Sequence, residues 1–250
     1  MAFEITSTIR WKIPPSTLVL LDQEIHIWQA SLDQLPATLA RFSETLSEDE
    51  QTRARRFQFE RDHEHYIAGR GILRHVLGQY LGLTPEKVEF VYGDHGKPAL
   101  PGNSPLRFNL AHSNDHMLLA VTLRHEIGVD LEYLHLMPEA DGIAKHYFTK
   151  AENKAMRNLP ESQKLEGFFA HWVCKEAYLK ALGDGLAKPL EAFEVLPTIR
   201  KPQGLLKVAD QPEESKRWHF QVLRPMDGYI AALAVEHKDL KNVYWHWLDR

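Results

Sequence analysis

The sequence predicts an α+β fold. Two long helical patterns, at about 62–81 and 161–182, stand apart from groups of strand patterns, and no regular βαβ alternation links them. The 250 residues, of which 44% are hydrophobic, suffice for a substantial core in one large domain or two small ones. Segregated helices and strands of this kind favour α+β over a doubly wound parallel sheet.

Composition and charge exclude several classes of protein. The single cysteine, Cys174, excludes an intramolecular disulfide framework, and the sequence has neither an N-terminal signal pattern nor an apolar run of transmembrane length. We therefore expect a cytoplasmic protein without a membrane segment. The net charge of -4 gives no reason to expect nucleic acid as a partner, although six arginines within 53–74 leave local anion recognition open.

The first elements are one strand and two helices. Alternating residues at 24–28 predict a strand. Ser47 and the three acids after it are typical of a capped helix N-terminus. The second helix, at 62–81, carries a buried apolar stripe and ends at Gly82.

Two glycines, Gly69 and Gly71, interrupt the second helix. Each costs roughly 1 kcal/mol relative to alanine in a helix interior. We therefore expect either a neighbouring helix or a ligand to approach the backbone there.

Further strands and helices follow along the chain. A turn-rich loop covers 93–98, a helix follows Thr149, and glycines at 183–185 end the long helix at 161–182. One strand is predicted before that loop, at 88–92, and three are predicted after it, at 106–111, 117–123 and 127–132. The remaining strands are predicted at 193–196, 205–208, 218–223 and 229–235.

Two carboxylates share one face of the strand predicted at 127–132. Apolar residues alternate there with Gly128, Asp130 and Glu132, so the acids lie opposite the buried face. In the long helix at 161–182, Glu176 and Lys180 continue the apolar stripe that should face the core. Charged groups at such positions are rarely tolerated unless they are paired or bind a metal.

Two explanations fit these charged residues. Three carboxylates are suitable ligands for Mg²⁺, which keeps positions for water and substrate phosphate. Alternatively, Asp130 and Glu132 form a solvated strand face, while Glu176 and Lys180 form an i,i+4 surface pair worth a few tenths of a kcal/mol. Spacing alone favours the second explanation, whereas the position of Glu176 on the stripe supports the first.

Lys97, His112 and Ser113 occupy positions where a phosphate could bind. Lys97 lies between a glycine and a proline, and on its own it is more typical of a surface turn. His112 and Ser113 follow a predicted strand and could bind phosphate oxygens or cap a turn. The fourteen histidines show no zinc-ligand spacing, so a structural zinc site is not expected.

Five motifs occur in order within residues 47–235. They are Gly-Lys-Pro at 96–98, Phe-Asn-Leu-Ala-His-Ser at 108–113, Gly-Val-Asp-Leu-Glu at 128–132, Phe-Thr-Lys-Ala-Glu at 148–152 and Trp-Val-Cys-Lys-Glu-Ala-Tyr-Leu-Lys at 172–180. Together they resemble the Sfp-type 4′-phosphopantetheinyl transferases. The resemblance favours the metal explanation of the acidic residues.

The resemblance implies a pseudo-dimer of two similar α+β halves, 1–124 and 125–250. Coenzyme A and Mg²⁺, for which Mn²⁺ could substitute, would lie in the cleft between the halves. The implied Mg²⁺ ligands are Asp130, Glu132 and Glu176. The implied contacts to coenzyme A are Arg53 and Arg70 for the 3′-phosphate, together with Lys97, His112, Ser113, Lys175 and Lys180.

The same resemblance implies the catalytic groups. Glu152 or Glu176 would accept a proton from the acceptor serine, directly or through a metal-bound water, and the choice among them stays open. Lys180 would stabilise or protonate the departing phosphate. Two positions depart from the family pattern: Ala111 replaces a serine found in many relatives, and the upstream basic residue that the family has near position 50 is absent.

The implied activity is transfer of the 4′-phosphopantetheine group of coenzyme A to an apo acyl or peptidyl carrier protein by a monomer. The carrier would dock near the stretch after Phe148 and the helix around 154–157. A coenzyme A-binding regulatory protein and a Mg²⁺-dependent coenzyme A pyrophosphohydrolase are the alternatives. The complete set of acids with Lys180 argues against a mere binder, and the sequence does not identify the natural carrier.

Overall fold

The α+β fold is confirmed, because two four-stranded sheets pack together and a helix of 22 residues covers each of them. The computed structural model describes residues 9–183, 188–197, 203–204, 207–208, 211 and 213–249. The stop predicted at 183–185 and the strand predicted at 205–208 therefore lie partly outside the described residues.

The first sheet has the spatial order β12-β1-β5-β4. Its strands are β1 (Glu24–Ser31), β4 (Leu106–Ser113), β5 (His116–Leu123) and β12 (Lys241–His246). The neighbouring pairs are antiparallel except that β12 runs parallel to β1. The same half contains α1 (Pro36–Thr45), α2 (Glu48–Ala54), α3 (Glu60–Leu81) and the ribbon of β2 (Val91–Tyr92) and β3 (Pro98–Ala99).

The second sheet has the spatial order β6-β11-β10-β8, and its neighbouring strands are antiparallel. Its strands are β6 (Ile127–Tyr133), β8 (Gln203–Gly204), β10 (His219–Leu223) and β11 (Tyr229–Val235). This half also contains α4 (Ala140–Tyr147), α5 (Lys150–Arg157), α6 (Glu161–Leu182), α7 (Glu214–Arg217) and the pair β7 (Phe193–Glu194) and β9 (Lys207–Val208).

The strands alternate between two environments, as period-two patterns require. On β6, Val129 and Leu131 enter a core between the two sheets, where they meet Ile27 of β1 and Leu118 of β5. The opposite faces of the sheets pack against α3 and α6. The molecule is therefore layered as helix, sheet, sheet and helix.

The close approach predicted at Gly71 involves a neighbouring helix. A Cβ atom at this position would lie 2.5 Å from Cβ of Phe42 in α1, so only glycine allows α1 to pack against α3 here. Gly82 ends α3 in the left-handed conformation, with φ of 65°, and Gly183 ends α6 with φ of 78°.

Six of the described helices and strands lack an equivalent among the predictions: α1, α4, α7, β3, β8 and β12. The strand predicted at 88–92 is also reduced to the two residues of β2. Strand β12 pairs with β1 of the first half, so it crosses the predicted division into 1–124 and 125–250. Apart from this strand, the division stays a prediction.

Candidate active site

The two carboxylates of β6 face α6. Gly128, on the same face, allows this contact, because a Cβ there would lie 2.5 Å from the backbone nitrogen of Ala181 and would also collide with the carbonyl of Ala177. Helix α6 therefore lies directly on β6. Its Lys180 reaches Asp130, with Nζ 2.6 Å from Oδ1.

Burial and mutual repulsion raise the pKa values of three acids. Burial raises the pKa of Asp130, and the Lys180 ammonium opposes the shift. The pKa values of Glu132 and Glu176 are raised by burial and then by the charge of Asp130. The three carboxylates thus form an acidic cluster in which every negative charge disfavours the others.

One oxygen of this acidic cluster has no partner among the residues that the structure describes. Oδ2 of Asp130 is buried and accepts no hydrogen bond from any of them. A buried carboxylate oxygen without a donor is costly, and a cation beside it would offset the cost. The donor set is composed of carboxylate oxygens, which suits a hard divalent cation.

The described residues contain no group of three His, Cys, Asp or Glu side chains already arranged around a metal position. The ammonium of Lys180 supplies the positive charge next to Asp130 instead. A divalent cation could therefore bind the acidic cluster only after these side chains adjust.

Ser113 connects the first sheet to the acidic cluster. Its Oγ donates to Oε2 of Glu132 at 3.2 Å and accepts from the backbone nitrogen of Tyr133 at 3.0 Å. Asn109 makes a second link between β4 and β6, because its Oδ1 accepts from the nitrogen of Val129 at 2.8 Å. These contacts fix the edge of β4 against β6.

Two adjoining cavities form a cleft, of which the smaller is lined by residues of both halves and the larger by residues of the first half alone. The smaller, of about 270 Å³, is lined by Glu176 and Lys180 of α6 together with Lys97. The larger, of about 620 Å³, is bordered by α3 and β4, and both cavities share Gly96 and Leu110. Its walls carry cationic and aromatic groups, namely Arg53, Arg61, His65, Tyr66, Arg70, Tyr92 and His112. The acidic cluster thus adjoins a basic cavity.

Glu50 organises the arginines behind the larger cavity. Its Oε1 accepts from Nε of Arg70 at 2.6 Å, and its Oε2 accepts from Nε of Arg74 at 2.7 Å. Burial works to raise the pKa of Glu50, but the arginine charges and hydrogen bonds leave it below its ordinary value. Arg70 also donates to the hydroxyl of Tyr92 at 3.0 Å, so its guanidinium is held rigidly at the cavity wall.

His112 and Lys97 line the cleft in different ways. The surrounding protein and then the charge of Lys180 lower the pKa of His112, which favours the neutral imidazole. Nζ of Lys97 donates to the carbonyl of Ala181, at 2.8 Å, near the C-terminus of α6 and lies 3.2 Å from Oε2 of Glu126. Lys97 therefore connects the loop before β3 to the second half.

Comparisons with known proteins give one consistent result. The model of the 4′-phosphopantetheinyl transferase superfamily matches residues 126–234, and the model of the N-terminal part of 4′-phosphopantetheinyl transferase matches residues 27–124. The chain is 42% identical over 240 residues to 4′-phosphopantetheinyl transferase HetI of Nostoc, an alignment that covers 95% of this chain and 98% of that protein. The chain belongs to the 4′-phosphopantetheinyl transferase family.

Two further relatives agree with this assignment. A putative 4′-phosphopantetheinyl transferase of Synechocystis, slr0495, is 30% identical, with 79% of this chain and 78% of that protein aligned. The 4′-phosphopantetheinyl transferase Sfp of Bacillus subtilis is 26% identical, with 80% of this chain and 86% of that protein aligned. This chain is therefore a transferase.

The structure brings most of the predicted site residues of this transferase to one cleft. The acidic cluster and Lys180 lie at the contact of β6 and α6, and Ser113 donates to this cluster. The predicted residues that line the two cavities are Arg53, Arg70, Lys97, His112, Glu176 and Lys180.

Glu152 and Lys175 are not brought to this cleft. Both side chains are completely buried and form an ion pair with each other, with 3.0 Å between Nζ and Oε1. The interpretations of Glu152 as a proton acceptor and of Lys175 as a contact to coenzyme A stay predictions, and the structure gives both groups interior partners. Their interior partners explain why charged residues are tolerated there.

The two departures from the family pattern also have structural contexts. Ala111 is buried in the core between the sheets, on the opposite side of β4 from His112. A hydroxyl there would face the sheet interface instead of the larger cavity. Glu50, where a basic residue was expected nearby, serves as the anchor of Arg70 and Arg74.

Sequence reasoning missed several residues of the cleft. Arg61 belongs to the arginine-rich stretch, which was the available signal, and its Nη2 donates to Oδ1 of Asn114 at 3.1 Å. Tyr66, His65 and Tyr92 carry no sequence spacing that could have indicated them. They meet only because α3 and the β2–β3 ribbon border the same cavity.

Among the described residues, no helix has the length and apolar character needed to span a membrane.

Proposed function

We propose that the transferase moves the 4′-phosphopantetheine group of coenzyme A to a serine of an apo acyl or peptidyl carrier protein. The main support is the acidic cluster of Asp130, Glu132 and Glu176 beside the basic cavity. A polyanionic substrate needs cationic walls, and a reaction at its pyrophosphate needs charge neutralisation at the reacting end.

Magnesium fits the acidic cluster on chemical grounds. The cluster offers carboxylate oxygens, and the buried Oδ2 of Asp130 has no donor within the described part of the chain. We propose that Asp130, Glu132 and Glu176 hold Mg²⁺, or Mn²⁺ in its place. The bound ion would neutralise charge on the pyrophosphate of coenzyme A.

Side chains of the cleft would bind the nucleotide end of coenzyme A. Arg53 and Arg70 lie in the wall of the larger cavity and are proposed to contact the 3′-phosphate. Lys97, His112 and Ser113 are proposed to contact the other phosphates. A phosphate next to His112 would reverse the depression of its pKa, since a negative charge favours the imidazolium.

The transfer step forms one bond and breaks another at the β-phosphorus. The serine Oγ bonds to that phosphorus, and the bond to the oxygen bridging the α-phosphorus breaks, releasing adenosine 3′,5′-bisphosphate. Glu176 is proposed to accept the serine proton, directly or through a metal-bound water. Lys180 is proposed to donate a hydrogen bond to the leaving phosphate.

The proposal also covers the oligomeric state of the protein, its compartment and the region where the carrier protein docks. We propose a cytoplasmic protein that acts as a monomer, since residues of both halves of one chain line the smaller cavity. The carrier is expected to approach near Phe148 and α5, where Lys145, Lys150 and Arg157 surround a cavity of about 500 Å³. These cations suit an acidic surface on the carrier.

The test is labelling of apo carrier proteins with a fluorescent coenzyme A. Asp130→Asn is expected to abolish labelling, whereas Asp239→Asn, a change at an exposed acid just before β12, is expected to retain it. Full labelling by Asp130→Asn would show that the acidic cluster takes no part in the transfer. Release of phosphopantetheine into water by the unaltered protein, without any carrier labelling, would instead establish a pyrophosphohydrolase.

A further inference from the structure

An ion pair lies in the interior of the second half, behind the acidic cluster. It joins Glu152 at the beginning of α5 to Lys175 in α6, and both side chains have an exposed fraction of 0%. An unpaired charge at such a depth would be very costly, so each residue depends on the other. Neither residue lines the cavities of the cleft.

The polar groups of this pair are engaged by interior partners. Nζ of Lys175 donates to the carbonyls of Leu190 and Phe193, both at 2.7 Å, and its third donor is available to Glu152. Glu152 accepts from the backbone nitrogens of Val195, at 2.8 Å, and Thr149, at 2.7 Å. The pair therefore connects α5, α6 and the segment 190–195.

These contacts hold α6 on the side opposite to β6. Successive residues of an α-helix are rotated by about 100°, so Lys175 and Ala177 point in nearly opposite directions. Ala177 packs on Gly128 of β6, whereas Lys175 is held by segment 190–195. Glu176 lies between these two attachments, and its direction follows from the rotation of the helix.

We propose that Glu152 and Lys175 are positioning residues, whose buried pair fixes the rotation of α6 and thereby holds Glu176 beside Asp130. This inference rests on the proposed function of the acidic cluster. It assigns no proton transfer to Glu152, because both of its carboxylate oxygens bind interior groups. A carboxylate that accepts the serine proton would instead need to contact the substrate.

Three variants separate positioning from proton transfer. Glu152→Gln and Lys175→Met each leave one member of the pair alone, and each is expected to lower kcat about 100-fold and the Tm by about 10 °C. The double variant removes both charges, and the amide introduced by Glu152→Gln can donate to a carbonyl that Lys175 vacates. It is expected to recover kcat to within about 10-fold of the unaltered transferase, since a neutral buried pair costs little.

A matched control is the exposed pair Glu213 and Lys216 at α7. The double variant Glu213→Gln/Lys216→Met is expected to leave kcat and Tm unchanged. Proton transfer by Glu152 makes a different prediction for the buried pair: the double variant would stay at least about 100-fold slow while its Tm is restored. That result would overturn the proposal.

Two further readouts decide the matter if the double variant does not fold. The residual activity of Glu152→Gln is expected to keep the acid limb of the pH dependence of kcat/KM, and loss of that limb would contradict the proposal. Mn²⁺ affinity, measured by electron paramagnetic resonance, is expected to fall in Glu152→Gln because Glu176 is displaced. Unchanged Mn²⁺ affinity with a lost acid limb would identify Glu152 as the base.

Failure of the proposed function would be visible separately. If the unaltered protein and Asp130→Asn bind Mn²⁺ equally well, the acidic cluster is not the metal site. In that case the substitutions at Glu152 and Lys175 would act on the stability of the protein alone. The positioning proposal would then be wrong, together with the proposed metal site.

Discussion

Nζ of Lys180 lies 2.6 Å from Oδ1 of Asp130, so a lysine of α6 neutralises a buried carboxylate of β6. The side chain of Asp130 is 7% exposed and that of Lys180 is 33% exposed. The lysine can therefore turn towards the cleft, whereas the aspartate stays in place. A cation bound by the acidic cluster and the ammonium of Lys180 would compete for the same oxygen.

This competition predicts the effect of Lys180→Met on metal affinity. Without coenzyme A, the variant is expected to bind Mn²⁺ about 10-fold more tightly, because one repelling positive charge is removed. Its transfer activity is expected to fall, because the leaving phosphate loses a donor. Calorimetry with Mn²⁺ measures the first effect, and Lys216→Met, at an exposed lysine paired with Glu213, is the control. Equal or weaker Mn²⁺ binding by Lys180→Met would contradict the competition.

A second prediction concerns the contact between β6 and α6. Gly128→Ala is expected to destabilise the protein by about 3 kcal/mol, because the new Cβ must push the helix backbone away. Gly142→Ala is the matched control, since a Cβ there meets nothing within 4 Å and alanine favours the helix. Urea unfolding of both variants measures the free energies. Unchanged stability in Gly128→Ala would show that α6 can shift at no cost.

A third prediction concerns the dependence of stability on pH. The pKa values of Asp130, Glu132 and Glu176 are raised in the folded protein. At pH values between their ordinary and their raised pKa values, the folded protein therefore binds more protons than the unfolded chain. The contribution of the acidic cluster to the free energy of unfolding is therefore largest at low pH. It is lost as the pH rises through the folded pKa values.

The measurement is urea unfolding at several pH values above 5 in the presence of a chelator. Glu132→Gln is expected to reduce the loss of stability with rising pH, because one repelling charge is absent. Added Mn²⁺ is expected to restore stability at high pH by binding the ionised carboxylates. A slope that is identical in Glu132→Gln and the unaltered protein would rule out this residue as a contributor.

A fourth prediction concerns Glu50, whose pKa has the opposite shift. Because its folded pKa is lowered, its contribution to stability is present above the ordinary value of 4.5 and is lost as the pH falls through the folded pKa. Glu50→Gln is expected to cost about 3–5 kcal/mol at neutral pH, since two buried guanidinium groups lose their carboxylate. The exposed Glu48 of the same helix supplies the control, Glu48→Gln. A cost below about 1 kcal/mol would show that Arg70 and Arg74 find other partners.

Local patterns predicted the elements that depend on neighbouring residues. Ser47 and Glu50 form the capping box expected at the start of α2, with the nitrogen of Ser47 donating to Oε2 of Glu50 at 3.0 Å. The period-two pattern of β6 and the glycine ends of α3 and α6 follow from the same local rules. Helix α4 and strand β12 were missed because their stability depends on partners that are distant in the sequence.

The candidate site was predictable to a different degree for each residue. Asp130 and Glu132 share a strand face, and this face can be read from alternation alone. Lys175 and Glu176 are neighbours in one motif, yet a rotation of about 100° sends one into the interior and the other towards the acidic cluster. Sequence spacing alone does not show which of these two directions leads to the cleft.

The sequence by itself determined the family, the α+β class and the three acids of the cluster with Lys180, because short motifs and local periodicity carry that information. Only the tertiary structure decided how the charges are paired. It joined Lys180 to Asp130, Glu50 to two arginines of α3, and Glu152 to Lys175. The physical reason is that burial makes an unpaired charge very costly, and burial results from the packing of elements far apart in the chain.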